Sequence, residues 1–330
     1  MTHSTSTAAG ARGETVLEAR NVTKLYGDFR AVDDISFSIP AGTIYGFLGP
    51  NGAGKTTTIR MILEILEPTE GSIEVFGTGA LSVRDRIGYL PEEKGLYKKM
   101  KAWSIIAYFA TLKGLSRREA KERAHELLER YGLKDFADKK TEALSKGMGQ
   151  KVQVLASIAH DPDLVILDEP FSGLDPVNQQ VMEEIIRDMA DRGKTILFST
   201  HVMQHAERLC DRLLLIARGQ KVFDGTIAES KRTMPRRVRI ETEDSIDKIA
   251  HLEGVLAVHA TDAAGDRLED GAAHGPFFEF TLSDDTDPQS VLEASFNNGV
   301  RLRRFDYSDP SLHEVFVHLV GPEAREAAYR

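Results

Sequence analysis

The run Gly49-Pro50-Asn51-Gly52-Ala53-Gly54-Lys55-Thr56 constrains this chain more than any other feature. It satisfies G-x-x-x-x-G-K-[ST] in the context that pattern needs. A β-rich apolar stretch, residues 43–48, precedes it, and a helical pattern, residues 54–66, follows. Glycines let backbone N–H groups wrap phosphate oxygens, and a helix N-terminus favours negative charge. Lys55 is expected to reach the β- and γ-phosphates of a bound nucleotide, and Thr56 to ligate Mg²⁺. Thr57 completes the cradle. The competing reading is a glycine-rich turn that arose by chance.

Residues 164–167 form a second apolar strand, which ends in Asp168 and Glu169. In an open α/β sheet, ligands bind at the carboxyl ends of strands. Asp168 is therefore expected to hold Mg²⁺, and Glu169 to polarise an attacking water as general base. A strand running into an acidic turn is the alternative, and Pro170 would suit it. Together the two motifs describe a P-loop NTPase.

The surrounding sequence agrees with an α/β domain over residues 15–230, in which short β-rich runs alternate with helical patterns. Strands are expected at residues 35–39, 43–48, 164–167 and 195–199, and helices at 54–66, 177–191 and 201–209. An insert at residues 101–141 reads as helical throughout, within a helical subdomain spanning about residues 101–160. Ser116 and Glu119 are spaced as a capping box. Ala120, Ala124, Leu127, Leu128 and Tyr131 then recur at helical spacing, and Gly132 ends the helix. Residues 233–330 read as a small α+β domain with a four-stranded sheet. Its strands are expected at 237–241, 256–259, 277–282 and 301–307, its helices at 246–251, 288–297 and 311–320, and a flexible hairpin loop at 261–275.

The chain has 330 residues, 42 Lys and Arg, 51 Asp and Glu, and a net charge of −9. That balance argues against a nucleic-acid partner read through a basic face. The lone cysteine, Cys210, rules out a disulfide within the chain and fits a reducing compartment. The opening residues, 1–14, lack a cationic start followed by an apolar stretch, so they read as a disordered arm and not as a secretory signal. No apolar run approaches the ~18 residues needed to span a bilayer.

Between the two phosphate-site motifs lies Leu144-Ser145-Lys146-Gly147-Met148-Gly149-Gln150-Lys151. Here the sequence resembles the ABC ATPases, whose signature is Leu-Ser-Gly-Gly-Gln. Ser145 and Gly147 match it. Lys146 and Met148 stand in place of its first Gly and its Gln, as in the branch that powers sodium-extruding and antibiotic-exporting systems. Ser145 also suits a plain helix N-cap. Further stations of the family follow in order. Tyr26 matches the aromatic that stacks on adenine; the alternative is an ordinary half-buried tyrosine. Asp175, in Ser172-Gly173-Leu174-Asp175, matches the D-loop, and before Pro176 it is equally a good N-cap. His201 matches the switch histidine that contacts the γ-phosphate. Glu92 stands where most relatives carry Gln, near Mg²⁺ and the attacking water.

The resemblance implies an ABC cassette: a parallel-sheet core with antiparallel β and helical subdomains, followed by an accessory C-terminal domain ending in Asp309–Phe316. It implies an ATPase that energises a separate transmembrane permease, most simply an exporter, from the cytoplasmic face of the membrane. It also implies a homodimer, in which the phosphate-site residues of one copy face Ser145 and Gly147 of another. A permease helix would seat near Glu93, Leu96, Tyr97 and Met100, a stretch that otherwise reads as a solvated basic loop. The rival expectation is a non-transport ABC ATPase, regulatory or associated with translation or DNA.

Overall fold

The protein was analysed as a computed structural model that describes residues 14–92, 95, 97–262, 268, 276–283 and 285–321. Most of the expected N-terminal arm, most of the loop at 261–275, and Glu93 and Leu96 lie outside the described residues. Glu14, assigned to the arm, is an exception: its carbonyl accepts from Ala41 N–H at 2.8 Å, as lead-in to the first strand.

By chain contacts the described residues divide into two compact units. The first takes in the chain up to Ile227 and again from Leu319, and the second spans Ala228–His318. The first unit begins with β1 (Thr15–Tyr26), β2 (Phe29–Pro40), β3 (Ile44–Leu48), α1 (Lys55–Ile62), β4 (Glu70–Val75) and β5 (Ile87–Leu90). The helical insert follows: α2 (Ala102–Leu112), α3 (Arg117–Arg130) and α4 (Lys146–Ile158). Then come β6 (Leu164–Asp168), α5 (Pro176–Asp191), β7 (Thr195–Thr200), α6 (Met203–Leu209), β8 (Arg212–Ala217) and β9 (Gln220–Thr226).

The main sheet has the order β5-β6-β7-β3-β8-β9, parallel except for β9. Every residue of β3, β6 and β7 is buried. Such continuous apolar strands arise when both faces of a parallel sheet are covered. Tyr45, Phe47, Leu164, Ile166 and Leu197 face a core shared with α1 and an antiparallel sheet, β2-β1-β4. Leu90, Val165, Leu167, Ile196 and Phe198 face a second core with α2 to α5. An edge-on contact of Phe37 and Phe47, 5.1 Å between ring centroids, joins the antiparallel sheet to the main one.

The expected capping box forms: Ser116 Oγ accepts from Glu119 N–H, and Ser116 N–H donates to the Glu119 carboxylate at 3.0 Å. Ala120, Ala124, Leu127 and Leu128 are buried as their spacing requires. Tyr131 lies just past the helix, and its hydroxyl donates to Asp188 on α5 at 2.6 Å.

The second unit holds α7 (Ile227–Lys231, from the junction), β10 (Arg236–Glu241), β11 (Val255–Thr261), β12 (Phe277–Leu282), α8 (Gln289–Asn297), β13 (Arg304–Asp306) and α9 (Leu312–Val320). Its sheet has the order β11-β12-β10-β13, over a core of Val238, Ile240, Ile249, Phe280, Leu282, Val291 and Val300. Two expectations are corrected. Residues 246–251 are not a helix but tight turns, in which Ile249 and Ala250 N–H both donate to the Ile246 carbonyl. Burial of Ile249 anchors the segment, which is too short to repay helix nucleation before the chain turns at Gly254. The last strand covers only Arg304–Asp306, because Arg301 N–H is taken by the Asp244 carboxylate instead of a ladder partner.

Candidate active site

Strands β5, β6, β7 and β3 are parallel neighbours, so the chain leaves all four at one edge of the sheet. Glu92 follows β5, Glu169 follows β6, His201 follows β7 and Gly49 follows β3. The motifs are scattered in sequence, and topology alone brings them to this edge.

The loop after β3 is shaped by close backbone approach. A Cβ on Gly49 would lie 2.1 Å from the Ile216 carbonyl oxygen, and one on Gly54 would lie 2.6 Å from that of Ala31. Gly54 also holds φ +102, a region costly for any residue with a Cβ. It precedes Lys55, so the first turn of α1 carries N–H groups without intrahelical acceptors. Lys55 is 6% exposed. Its Nζ donates to the carbonyls of Gly49 (2.7 Å) and Pro50 (3.1 Å) and stands 3.5 Å from Glu169 Oε1. Burial pushes the Lys55 ammonium below its usual range, and the Glu169 carboxylate works against that.

Asp168 and Glu169 are both buried, yet they are held differently. Asp168 Oδ1 accepts from Ser199 Oγ at 2.5 Å and from Thr56 Oγ1 at 3.3 Å. Asp168 Oδ2 is buried with no hydrogen-bond partner among the described residues. A buried carboxylate oxygen without a donor is costly unless a cation takes that place. With the Thr56 hydroxyl beside it, the donor set is all oxygen, as a hard divalent cation prefers.

Glu169 sits at φ +48, a sparsely populated conformation for a residue with a side chain. Its N–H donates to Ser199 Oγ at 2.9 Å, which anchors that conformation. Both Glu169 carboxylate oxygens lie 3.1 Å from His201 Nδ1. A proton on Nδ1 would be shared with the carboxylate, and the His201 side chain remains 46% exposed.

Ser145, Gly147 and Asp175 form a separate cluster. Ser145 caps α4, its Oγ accepting from Met148 N–H at 3.3 Å. Asp175 caps α5, accepting from Asn178 N–H at 2.9 Å and from Asn178 Nδ2 at 2.7 Å. The N-cap geometry foreseen for both residues is therefore present. A Cβ on Gly147 would lie 2.4 Å from Asn178 Nδ2, and one on Gly173 would lie 2.3 Å from Lys146 Nζ. The signature helix and the D-loop thus pack as one surface. Gln150 Nε2 donates to the Pro170 carbonyl, tying α4 to the segment after Glu169.

Tyr26 lies at the tip of the β1–β2 hairpin, 51% exposed, with Lys24 Nζ 5.5 Å from its ring centroid. Its ring is half accessible, as a stacking platform must be. Glu92 is exposed, and its charge acts on Lys55. The described contacts of Thr56 and Asp168 do not include it. Two residues of the site escaped the sequence reading. Ser199 holds both Asp168 and the Glu169 backbone; its place two residues before His201, at the end of a β-branched strand, was the available signal. His205 packs against Phe171 at 4.1 Å and steadies the chain just past Glu169.

The profile of the ABC transporter family matches residues 32–172. That of the ATP-binding protein DrrA1-3-like C-terminal domain matches residues 225–320. The uncharacterized ABC transporter ATP-binding protein YhaQ of Bacillus subtilis is 40% identical over 308 residues, covering 93% of this chain and 99% of that protein. The Nod factor export ATP-binding protein I of Burkholderia orbicola is 35% identical over 316 residues, covering 94% and 98%. A solved structure of the ATP-binding subunit of an ABC transporter aligns with a TM-score of 0.61 at 32% identity, covering 66% of this chain and 93% of its own.

Proposed function

We propose, from the premise that this chain belongs to the ABC transporter ATP-binding family and is an ATP-hydrolysing subunit of such a transporter, that it works with Mg²⁺ as one half of a homodimer beneath a separate permease. The observation that carries the catalytic reading is the meeting of Lys55, Thr56, Asp168, Glu169 and His201 at one sheet edge, with one Asp168 oxygen left unpaired. ATP binding exchanges the Gly49 and Pro50 carbonyls around Lys55 for phosphate oxygens. Lys55 then offsets charge on the transferring group. Thr56 and Asp168 hold Mg²⁺, which neutralises phosphate charge when bound. Glu169, oriented by His201, accepts the proton of the attacking water. Glu92, at the rim, acts on the same water or on the cation, and Tyr26 stacks on the adenine.

Ser145, Gly147 and Asp175 form their own cluster on the chain, so we assign them to the nucleotide of a second copy. ATP would then close the pair by a ligand-driven population shift, since it touches both partners only in the closed state. No helix among the described residues is long and apolar enough to cross a membrane. The permease is therefore assigned to another chain, with this subunit on its cytoplasmic face. An exposed aromatic run supports a contact there: Tyr97 meets Tyr108 at 6.0 Å, and Tyr108 meets Phe109 at 5.6 Å. Tyr97 is 57% exposed, which favours an interface anchor over a core residue. Export is the direction taken from the relative named Nod factor export ATP-binding protein I.

The test is MgATP hydrolysis by the purified chain. Lys55→Ala should abolish phosphate release. A Lys55→Ala chain that hydrolyses at the wild-type rate, free of contaminating ATPase, would refute the site.

A further inference from the structure

We propose that the second unit carries its own binding site for a phosphate-bearing anion, in the cavity between the start of β10 and the chain leaving β13. The cavity measures about 450 Å³, within the usual range for a small ligand. Its lining carries three arginines, Arg232, Arg236 and Arg237, against one carboxylate, Asp309. The chain as a whole has net charge −9, so this local positive excess does not follow from composition.

The wall of the cavity is built. Glu279 is 2% exposed and lies between two arginines: Arg239 Nε donates to its Oε2 at 3.1 Å, and Arg237 Nε stands 3.8 Å from its Oε1. The buried carboxylate is hydrogen-bonded to Arg239, and Arg237, which lines the cavity, is left with a 3.8 Å ion pair. Arg237 Nε is nevertheless buried with no hydrogen-bond partner among the described residues. Its cross-strand neighbour on β12, Thr281, likewise has a buried Oγ1 without one. A buried guanidinium N–H without an acceptor, on a residue that lines the cavity, points to an unseen acceptor there.

The neighbouring carboxylates lie outside the lining and have cationic partners of their own: Glu314 stands 3.8 Å from Arg239, and Asp306 accepts from Arg304 at 3.0 Å. Ser308 and the prolines Pro235 and Pro310 complete the lining. The prolines fix the backbone, which lowers the ordering cost of binding. Several cationic groups around one small space match a phosphate, whose several oxygens accept at once, better than a lone carboxylate. The phosphate could belong to a free small molecule or to the headgroup of an anionic lipid.

The experiment uses the full chain carrying Lys55→Ala, so that phosphate binding at the cassette is removed. Inorganic pyrophosphate is titrated calorimetrically, and co-sedimentation with vesicles containing phosphatidic acid is measured in parallel. Arg232→Gln/Arg236→Gln is then added; it removes two lining charges and leaves the buried Glu279 pair intact. Arg237→Lys, which keeps charge but not the guanidinium fork, serves as a second variant. The proposal expects pyrophosphate binding that weakens at least about tenfold in the double variant, the weight of one charge-assisted hydrogen bond. Vesicle binding with the same arginine dependence, and no pyrophosphate binding, would assign the site to a lipid headgroup. Absence of both, or binding indifferent to these arginines in a chain of unchanged thermal stability, overturns it.

Discussion

At the scale of single residues, the catalytic assignments separate cleanly by their chemistry. Glu169→Gln keeps the shape of the side chain and removes its basicity, so ATP binding should persist while turnover falls by several orders of magnitude. A Gln variant hydrolysing at the wild-type rate would show that Glu169 is not the base. Ser199→Ala tests the residue that the motifs did not announce. It removes one donor to Asp168 and the acceptor of the Glu169 N–H. Turnover is expected to drop about tenfold, with stability lower by about 1–2 kcal/mol, as for a buried amide left unpaired. Wild-type turnover in Ser199→Ala would contradict the positioning role. Lys55, Thr56, Asp168 and Glu169 were legible because phosphate chemistry fixes both their types and their spacing. Ser199 was not, because a serine ending a buried strand is informative only once its neighbour across the sheet is known. His205 adds a pH dependence. Burial, with the charges of Arg208 and His201 adding to it, pushes its pKa down to about 4 from an ordinary 6.5. Below about pH 6.5 the unfolded chain takes up a proton that the folded chain refuses, so stability is full above that pH and falls toward pH 4. His205→Phe, which preserves the packing on Phe171, should flatten the acid limb of a plot of melting temperature against pH. Some slope should remain from His160, which is depressed likewise to about 4. An unchanged slope in His205→Phe would contradict this.

At the scale of elements, the sequence was most readable where one local rule governs a whole segment. The buried strands, the α3 capping box and the helix-opening Asp175-Pro176 pair each carry their own signal. Residues 246–251 show the opposite case: apolar spacing fits one helical turn, but the chain has no room to propagate it before β11. The three-stranded antiparallel sheet was also hard to place residue by residue, because β1 and β2 pair through several register shifts that blur the period-two pattern. The signature helix offers a test at this scale. Glycine is a poor helix former, so Gly147→Ala should gain helix propensity while displacing Asn178 from its bond to Asp175. The two effects nearly cancel, and stability should change by less than about 1 kcal/mol. ATPase activity should nonetheless collapse if, as proposed, the backbone at Gly147 approaches the nucleotide of a second copy. Retained activity in a folded Gly147→Ala chain would return Ser145 and Gly147 to a purely structural role.

At the scale of the whole molecule, the described hydrophobic clusters fall on either side of the junction. The clusters around the main sheet take no residue beyond Ile216, and the cluster of the second unit begins at Val238. A chain ending at Ile227 should therefore fold cooperatively and bind ATP, as circular dichroism and nucleotide titration would report. An unfolded product would contradict the independence of the first unit. The central claim is that two copies close around ATP, each lending its signature cluster to the phosphate site of the other. Light scattering of the Glu169→Gln chain tests it most directly. With saturating MgATP the mass should rise from the monomer's 36.6 kDa to twice that value, and added Gly147→Ala should return it to the monomer. A Glu169→Gln chain that binds ATP yet remains monomeric at every protein concentration would contradict the account.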